Sequence, residues 1–381
     1  MNKYTFLILA FLSSAQFTGA QQKCPTFTLQ GNINTDSGKI ILMSIGNGSY
    51  YPYKTNMETN IVKGKFTFTD SISYPCAYLI GIRTRSEWKY ISNMFFVDPC
   101  TQTIFCNIDT PRGETPVIRN NSMDEYLGNY KKEFSKLNER WVALNQKSAS
   151  LYKTYKNNIP EKDAAVIKKT KDSIDRENKM IIWQYAKRHP DSYIILWTTS
   201  KQLTNGYEPI FDSIYNCLSE PLRNTHTGRE LAKKLASARP TAIGNSFLPM
   251  ELYNINLEKV TLPRVNKNNK YTLVCFWFSH CSACISKFGA YQRLYATYKK
   301  AGFEIAGISI DEQKNIDDWR KVIKDRSIFW PQYLDAGGRN TTRMSIDYFT
   351  TNFLLDENGV IIKKDITAQE LETLLAKELK K

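Results

Sequence analysis

Hydrophobic residues alternate with polar ones through the first part of the chain, from residue 27 to about residue 118. Side chains two positions apart in a β-strand point to the same face, so this period predicts strands with one buried face. Residues that favour tight turns separate the apolar runs, at Asp36-Ser37-Gly38, Gly46-Asn47-Gly48 and Asp98-Pro99. The pattern therefore predicts an all-β amino-terminal sandwich, or a barrel, over residues 21–119.

The hydrophobic period lengthens near residue 120, where apolar side chains recur at steps of three and four. This spacing is typical of an amphipathic helix, and it covers Met123, Leu127, Tyr130, Phe134, Leu137, Trp141 and Leu144. A second long helix is predicted over residues 167–185, ending before Pro190, because proline lacks the N–H that a helix needs. Shorter helices are predicted at residues 211–218 and 228–238. The long helices pack on each other or, alternatively, form a short coiled coil between chains.

A continuous apolar run at residues 271–279 predicts a buried central strand, and His280, Cys281, Ser282, Ala283 and Cys284 follow it directly. The pattern of residues 286–300 predicts a helix. The remaining elements are a strand at residues 303–310, a helix at residues 315–324, a hairpin with its turn at Glu357-Asn358-Gly359, and a helix from Thr367 to about residue 379. This order of elements is that of the thioredoxin fold.

The C-x-x-C formed by Cys281 and Cys284 is the candidate chemistry of the chain. A cysteine at a helix N-terminus has a stabilised thiolate, and a cysteine three residues later lies within disulfide reach. Cys281 is therefore the predicted attacking thiolate, and Cys284 resolves the mixed disulfide. The alternatives are a structural disulfide or half of a zinc site. Zinc needs further ligands, and there is no second C-x-x-C, so we expect no metal and no organic cofactor.

The segment TLVCFWFSHCSAC at residues 272–284 resembles the active-site strand and motif of TlpA-like and ResA-like thioredoxin-fold thiol-disulfide oxidoreductases. Trp330-Pro331-Gln332, Leu334-Asp335 and residues 352–359 fit the later part of that pattern, and the resemblance covers about residues 243–381. It implies exchange with protein thiols or disulfides of the bacterial envelope and an unidentified redox partner. The β-rich region resembles the uncharacterised amino-terminal domain that often precedes such domains in Gram-negative envelope proteins.

Two departures from that family concern the substrate groove and the first cysteine. Thr350 stands where the family usually has a cis-proline that shapes the groove, so the resemblance makes Phe349 and Thr350 the candidate substrate contacts. His280 replaces the tryptophan that usually precedes the first cysteine. Its imidazole could place positive charge beside the Cys281 thiolate and make the disulfide more oxidising. An exposed histidine without such an effect is the alternative.

Two further departures lie in the interior and on the helix. Cys275 occupies the place, six positions before Cys281, of a buried polar residue that helps proton transfer in the family. Cys275 is therefore either a modulating residue or a small core residue. Lys287 stands where relatives often have Glu, and Gly289 stands where many have a proline that kinks the helix.

The first twenty residues have the layout of a cleavable signal peptide. Lys3 provides a positive charge, residues 6–12 are apolar, and the cleavage region ends at Ala20. The apolar stretch is shorter than the roughly 20 residues of a transmembrane helix, and no later segment approaches that length. We therefore expect export to the periplasm or cell envelope and no transmembrane segment in the mature chain.

Composition and cysteine usage agree with an exported globular protein. The chain of 381 residues is 42% hydrophobic and carries a net charge of +15. Its lysines and arginines are spread along the chain without a run of five, so a nucleic-acid partner is not implied. An exported chain can form disulfides. The cysteines outside the motif region are Cys24, Cys76, Cys100, Cys106 and Cys217; those of the β-rich region form one or two disulfides or stay as thiols.

The predicted organisation is multidomain: a signal peptide (1–20), the β-sandwich domain (21–119), a helical middle section (120–240) and a carboxy-terminal α/β thioredoxin-like domain (241–381). The leading prediction is an enzyme, an exported thiol-disulfide oxidoreductase that uses Cys281 and Cys284. The alternative is a non-enzymatic periplasmic binding or scaffolding protein with a degenerate thioredoxin-like domain, which Thr350 and Cys275 motivate. A peroxiredoxin-type peroxidase is disfavoured, because no Thr or Ser with Pro precedes a single reactive cysteine here.

Overall fold

The computed structural model describes residues 25–45, 56–84, 87–109, 116–119, 122–156, 159–204, 206–262 and 269–379. The predicted signal peptide, Cys24 and the Gly46-Asn47-Gly48 turn lie outside these ranges. Within them, no helix combines the length and the apolar character that a membrane crossing requires.

Nine strands form the first part of the described chain: β1 (Thr26–Ile33), β2 (Ser37–Ser44), β3 (Met57–Val62), β4 (Lys65–Ser71), β5 (Cys76–Thr84), β6 (Glu87–Ile91), β7 (Phe95–Val97), β8 (Thr101–Cys106) and β9 (Val117–Arg119). The predicted alternation is present, since β1 buries Phe27 and Leu29 while Thr26 and Gln30 are exposed. The β-rich nature of this region is therefore confirmed.

The strands form one hydrogen-bonded sheet in the order β6-β5-β2-β3-β4-β1-β8-β9, with β7 beside β5. All nine strands contribute side chains to a single core. The region is therefore β-rich but not a clear sandwich of two separate sheets. The reason is that alternation determines which face of a strand is buried but not which strands become neighbours. Cys106 is buried in this core as a thiol and is not part of a disulfide.

Seven helices follow among the residues that the structure describes: α1 (Ser122–Glu133), α2 (Ser135–Tyr155), α3 (Glu161–Arg188), α4 (Tyr193–Leu203), α5 (Ile210–Cys217), α6 (Glu220–Arg223) and α7 (His226–Ala238). The first predicted helix is divided at Phe134, which lies between α1 and α2. Arg140 of α2 forms an ion pair with Glu177 of α3, and Glu133 at the end of α1 forms one with Arg188 at the end of α3, so α3 runs antiparallel to the α1–α2 segment. The predicted end before Pro190 is confirmed, because α3 stops at Arg188.

Helix α4 is absent from the sequence prediction. Eight of its eleven residues are buried, among them Ile195 and Trp197. A helix that is buried on nearly all sides shows no alternation of polar and apolar faces, so periodicity does not reveal it. Its Trp197 packs edge-on against Phe96 of β7, with ring centroids 5.6 Å apart, and so joins the helices to the β-rich sheet.

Within the described residues of the carboxy-terminal part there are seven strands: β10 (Met250–Asn254), β11 (Lys259–Leu262), β12 (Tyr271–Trp277), β13 (Phe303–Ser309), β14 (Gln332–Leu334), β15 (Asn352–Asp356) and β16 (Ile361–Lys364). Its helices are α8 (Ser282–Ile285), α9 (Phe288–Tyr298), α10 (Ile316–Asp325), α11 (Arg339–Arg343) and α12 (Ala368–Glu378). The sheet order is β11-β10-β14-β13-β12-β15-β16. The predicted thioredoxin-like α/β fold is confirmed, with the β10–β11 hairpin added before it.

The central strand β12 separates two hydrophobic cores. Leu273, Cys275 and Trp277 face the core that also contains Cys281, Cys284 and the apolar face of α9. Val274 and Phe276 face the other core. The two-residue period of the strand thus places Cys275 on the same side of the sheet as the C-x-x-C motif.

Candidate active site

The C-x-x-C motif lies where the central strand leaves the sheet. Strand β12 is paired with β13 in parallel and with β15 in antiparallel orientation, and it ends at Trp277. The Cys281 N–H donates to the Phe278 carbonyl oxygen at 3.0 Å, which closes a turn between the strand and α8. Cys281 is the N-cap residue of α8. The buried strand and the turn therefore place this cysteine at a helix N-terminus, as the sequence predicts.

Cys281 and Cys284 form a disulfide, and their Cα atoms are 5.2 Å apart. The Cys284 N–H donates to the Cys281 Sγ at 3.1 Å. The two residues are only 7% and 3% exposed. A backbone donor aimed at Sγ stabilises negative charge there once the disulfide is reduced. Among the described residues, no group of three or more His, Cys, Asp or Glu side chains could hold a metal ion.

A buried carboxylate anchors the segment that precedes Cys281. Asp311, which is 4% exposed, follows β13 and accepts hydrogen bonds from the Ser279 N–H at 2.9 Å and the Ser279 hydroxyl at 2.7 Å. The Ser309 hydroxyl donates to the same carboxylate at 2.6 Å. Sequence reasoning missed Asp311, because only the pairing of β12 with β13 brings it to Ser279.

Replacing Asp311 with asparagine is expected to lower the free energy of unfolding by about 1–3 kcal/mol, the typical cost of disrupting a buried charged hydrogen-bond acceptor. The asparagine amide cannot accept from all three donors, so at least one of them loses its partner. Urea unfolding of the variant measures this loss. The matched control is Asp317→Asn, at an exposed position of α10. Equal unfolding midpoints for the two variants would contradict the anchoring role of Asp311.

His280 lies on the solvent side of the motif. Its side chain is 67% exposed, and its Nε2 lies 3.5 Å from the Asp318 Oδ2 of α10. Positive charge that the imidazole brings to the neighbourhood of Cys281 is therefore partly offset by a carboxylate. The modulating role of His280 stays a prediction, and sequence reasoning did not identify Asp318 as its neighbour.

Lys287 lies near two further ionisable groups, Cys275 and Asp365. Cys275 is buried, and burial raises the pKa of its thiol to about 12. Burial lowers the pKa of the Lys287 ammonium, while the nearby Asp365 and Cys275 act in the opposite direction. Burial raises the pKa of the Asp365 carboxyl, an effect that Lys364 and Lys287 oppose. The Lys287 ammonium is thus a charged neighbour of both the Cys275 thiol and the Asp365 carboxyl.

Asp365 was not a predicted site residue. The tertiary structure brings it near Lys287. It follows β16, and its carboxylate accepts from the Asn352 N–H at 3.2 Å. Asn352 lies directly opposite Cys275 in the β12–β15 ladder. Lys287 arrives from the other side, three residues after Cys284, where its N–H donates to the Cys284 carbonyl oxygen at 3.1 Å. Lys287, between α8 and α9, therefore lies near groups on β12 and on the segment after β16.

Phe349 and Thr350 lie beside the motif, as the prediction of substrate contacts requires. The Thr350 hydroxyl accepts a hydrogen bond from the Lys287 ammonium. Phe349 packs edge-on against Phe278, with ring centroids 6.0 Å apart and the rings at 89°. Both residues are half-buried, and the preceding Tyr348 is 56% exposed. Contact of these residues with a substrate stays a prediction.

Comparison with known proteins identifies relatives of this part of the chain. The model of the AhpC/TSA family matches residues 243–364. A thiol-disulfide oxidoreductase ResA of Bacillus cereus is 26% identical over 119 residues, which are 31% of this chain and 68% of that protein. The sporulation thiol-disulfide oxidoreductase A of Bacillus subtilis is 28% identical over 141 residues, covering 36% of this chain and 82% of that protein.

Solved structures with related sequences cover a similar share of the chain. The thioredoxin domain of a thiol-disulfide oxidoreductase from Bacteroides vulgatus has 27% sequence identity and a TM-score of 0.33, covering 36% of this chain and 98% of that domain. StoA from Bacillus subtilis has 26% sequence identity and a TM-score of 0.29, covering 33% of this chain and 95% of that chain. The carboxy-terminal part of this chain is therefore a thioredoxin-fold domain that matches the AhpC/TSA family and is similar to thiol-disulfide oxidoreductases of the ResA type.

Proposed function

We propose that this protein is an exported thiol-disulfide oxidoreductase that exchanges disulfides with proteins of the bacterial envelope. The observation that carries the proposal is the Cys281–Cys284 disulfide, which a helix N-terminus and a buried strand hold in place. Similarity to the ResA-type proteins supports redox chemistry at this pair. The signal-peptide pattern of residues 1–20 supports export to the periplasm or cell envelope.

The exchange proceeds in two steps that balance in electrons and protons. In the reduced protein, the Cys281 thiolate attacks one sulfur of a substrate disulfide, and the other sulfur leaves as a thiolate that takes up a proton. Cys284 then loses its proton and attacks the Cys281 sulfur, which releases the second substrate thiol. The substrate gains two electrons and two protons, and the protein returns to its disulfide form. In reverse, the same steps oxidise a pair of substrate thiols.

The other residues of the site have supporting roles in this proposal. Phe349 and Thr350 contact the substrate segment that flanks the reacting disulfide, since they lie beside the motif. His280 and Cys275 modulate the stability of the thiolates, and Lys287 and Asp365 hold charge on the buried side of Cys284. The proposed chain organisation is a signal peptide (1–20), a β-rich domain (21–119), a helical section (120–240) and the thioredoxin-like domain (241–381).

A redox equilibrium of the purified chain in glutathione buffers tests the proposal, with thiol alkylation and mass spectrometry as the readout. We expect a reversible Cys281–Cys284 disulfide that titrates within the range of envelope potentials. A pair that stays oxidised under strong reductant would indicate a structural disulfide, and the non-enzymatic binding or scaffolding protein would then be the better description. Efficient peroxide consumption that persists in the Cys284→Ser variant would instead indicate a peroxidase.

A further inference from the structure

Helix α7 of the helical section contacts the segment that leads into the candidate substrate contacts. We call residues 345–351 the site loop, because they join α11 to β15 beside the disulfide. The Lys234 ammonium of α7 forms an ion pair with the Asp347 carboxylate of the site loop, and the Lys234 side chain is only 20% exposed. One turn further along α7, the Ser237 and Ser345 hydroxyl oxygens are 2.6 Å apart. Two side chains of α7 therefore hold the start of the loop.

The end of the site loop is held by the motif side of the domain. The Lys287 ammonium donates to the Thr350 hydroxyl, and the Thr351 carbonyl oxygen accepts from the Phe276 N–H at 3.0 Å. Between the two anchored ends, Tyr348 projects its ring toward solvent. The loop is thus fixed at both ends, with an exposed aromatic side chain in its middle.

The backbone at the start of the site loop adopts a conformation that needs support. Ser345 has a φ of +52°, in the left-handed region that residues other than glycine rarely occupy. Such a conformation persists where surrounding contacts hold it. Met344 and Ile346 are buried on either side, and the hydroxyl of Ser345 itself meets Ser237. The contact from α7 is therefore one of those that determine the path of the loop.

We propose that α7, through Lys234 and Ser237, positions the site loop and thereby determines how well the domain accepts a protein disulfide. This inference rests on the proposed function and gives the helical section a role in it. A protein substrate brings peptide on both sides of its disulfide, and that peptide must pass over the site loop to reach Cys281. A small disulfide reaches Cys281 without covering the loop. The two positioning residues should therefore affect protein substrates and leave small ones unchanged.

The test compares two substrates on the full-length protein, with insulin as the protein disulfide and DTNB as the small disulfide. The variant is Lys234→Met/Ser237→Ala, which removes both contacts from α7. The matched control is Lys233→Met, because Lys233 is exposed and pairs with Glu230 within the same helix. We expect the KM for insulin to rise about three- to tenfold, the effect of losing one or two partly exposed polar contacts. The rate with DTNB and the glutathione equilibrium should match those of the control.

The outcomes separate this inference from the proposed function. If the wild-type protein reduces insulin and the double variant keeps its KM, the role of α7 is wrong while the proposed function stands. An equal loss with insulin and DTNB would also contradict it, because a general structural effect does not depend on substrate size. A wild-type insulin KM in the single variant Lys234→Arg, which keeps the positive charge and Ser237, would support the ion pair with Asp347. A wild-type protein that reacts with neither substrate would overturn the proposed function and this inference together.

Discussion

Replacing Cys281 with serine is expected to lower the rate of insulin reduction by at least about a thousandfold, to the rate of the reductant alone. A serine hydroxyl is a far weaker nucleophile than a thiolate at neutral pH, and it forms no disulfide with the substrate. The turbidity of precipitating insulin chains in the presence of dithiothreitol measures this rate. Cys217→Ser is the matched control, since Cys217 lies in α5, in the helical section, and is not disulfide-bonded.

The Cys284→Ser variant separates the roles of the two cysteines. Without Cys284, the mixed disulfide on Cys281 cannot be resolved within the protein, so covalent adducts should accumulate. Mass spectrometry of the variant after incubation with envelope extract detects these adducts and identifies the partner chains. Adducts found on Cys284 in the Cys281→Ser variant, but not on Cys281 in Cys284→Ser, would reverse the assigned roles. Insulin reduction that persists when both Cys281 and Cys284 are replaced would show that the C-x-x-C motif does not take part in the reaction.

Replacing Lys287 with methionine is expected to shift the reduction potential of the disulfide downward by about 10–30 mV, which corresponds to a two- to tenfold change in the exchange equilibrium. The positive charge of Lys287 lies on the buried side of the motif and favours the reduced, thiolate-containing form. Methionine has a similar length and no charge, so it removes this stabilisation. Equilibration with glutathione measures the potential. An unchanged reduction potential would show that the charge of Lys287 does not affect the redox equilibrium of the cysteine pair.

Lys287→Met is expected to raise the free energy of unfolding, although it lowers the reduction potential. Burial lowers the pKa of Lys287 in the folded protein below its ordinary value of 10.5. The unfolded chain therefore binds the proton more tightly, and the cost of the buried ammonium is fully present at pH values below the folded pKa. As the pH rises from the folded pKa toward 10.5, this cost disappears. Lys287→Met should thus unfold at higher urea concentration than the wild type near neutral pH, by a margin that shrinks at alkaline pH.

Two further variants keep this prediction specific to Lys287. Lys300→Met removes a lysine from an exposed position after α9 and should leave both the potential and the pH dependence of stability unchanged. Lys287→Arg keeps the positive charge, so it should retain the wild-type potential. A stability gain for Lys287→Met that is independent of pH would point to better apolar packing instead of a relieved ionic cost.

Local patterns are sufficient to predict the elements that carry the candidate site. The apolar run before Cys281 predicts β12, and the motif directly after it predicts a helix start, because both depend on residues only a few positions apart. The boundary of α3 before Pro190 follows from the same kind of information. Helix α4 and the single β-rich sheet escape prediction for a different reason. Helix α4 has no polar face, and the arrangement of the β-rich sheet depends on which distant strands become neighbours.

The sequence by itself determined the position of the Cys281 and Cys284 pair directly after a buried strand, and the fold type of the domain around it, since short-range spacing and periodicity encode both. Only the tertiary structure decided which remote residues lie around that pair. Asp311 reaches the motif through the β12–β13 pairing, and the β15–β16 hairpin brings Asp365 near Lys287. The sequence around a charged residue does not show which group that residue will contact in the folded protein. That group is determined by long-range packing, which brings together residues that are far apart along the chain.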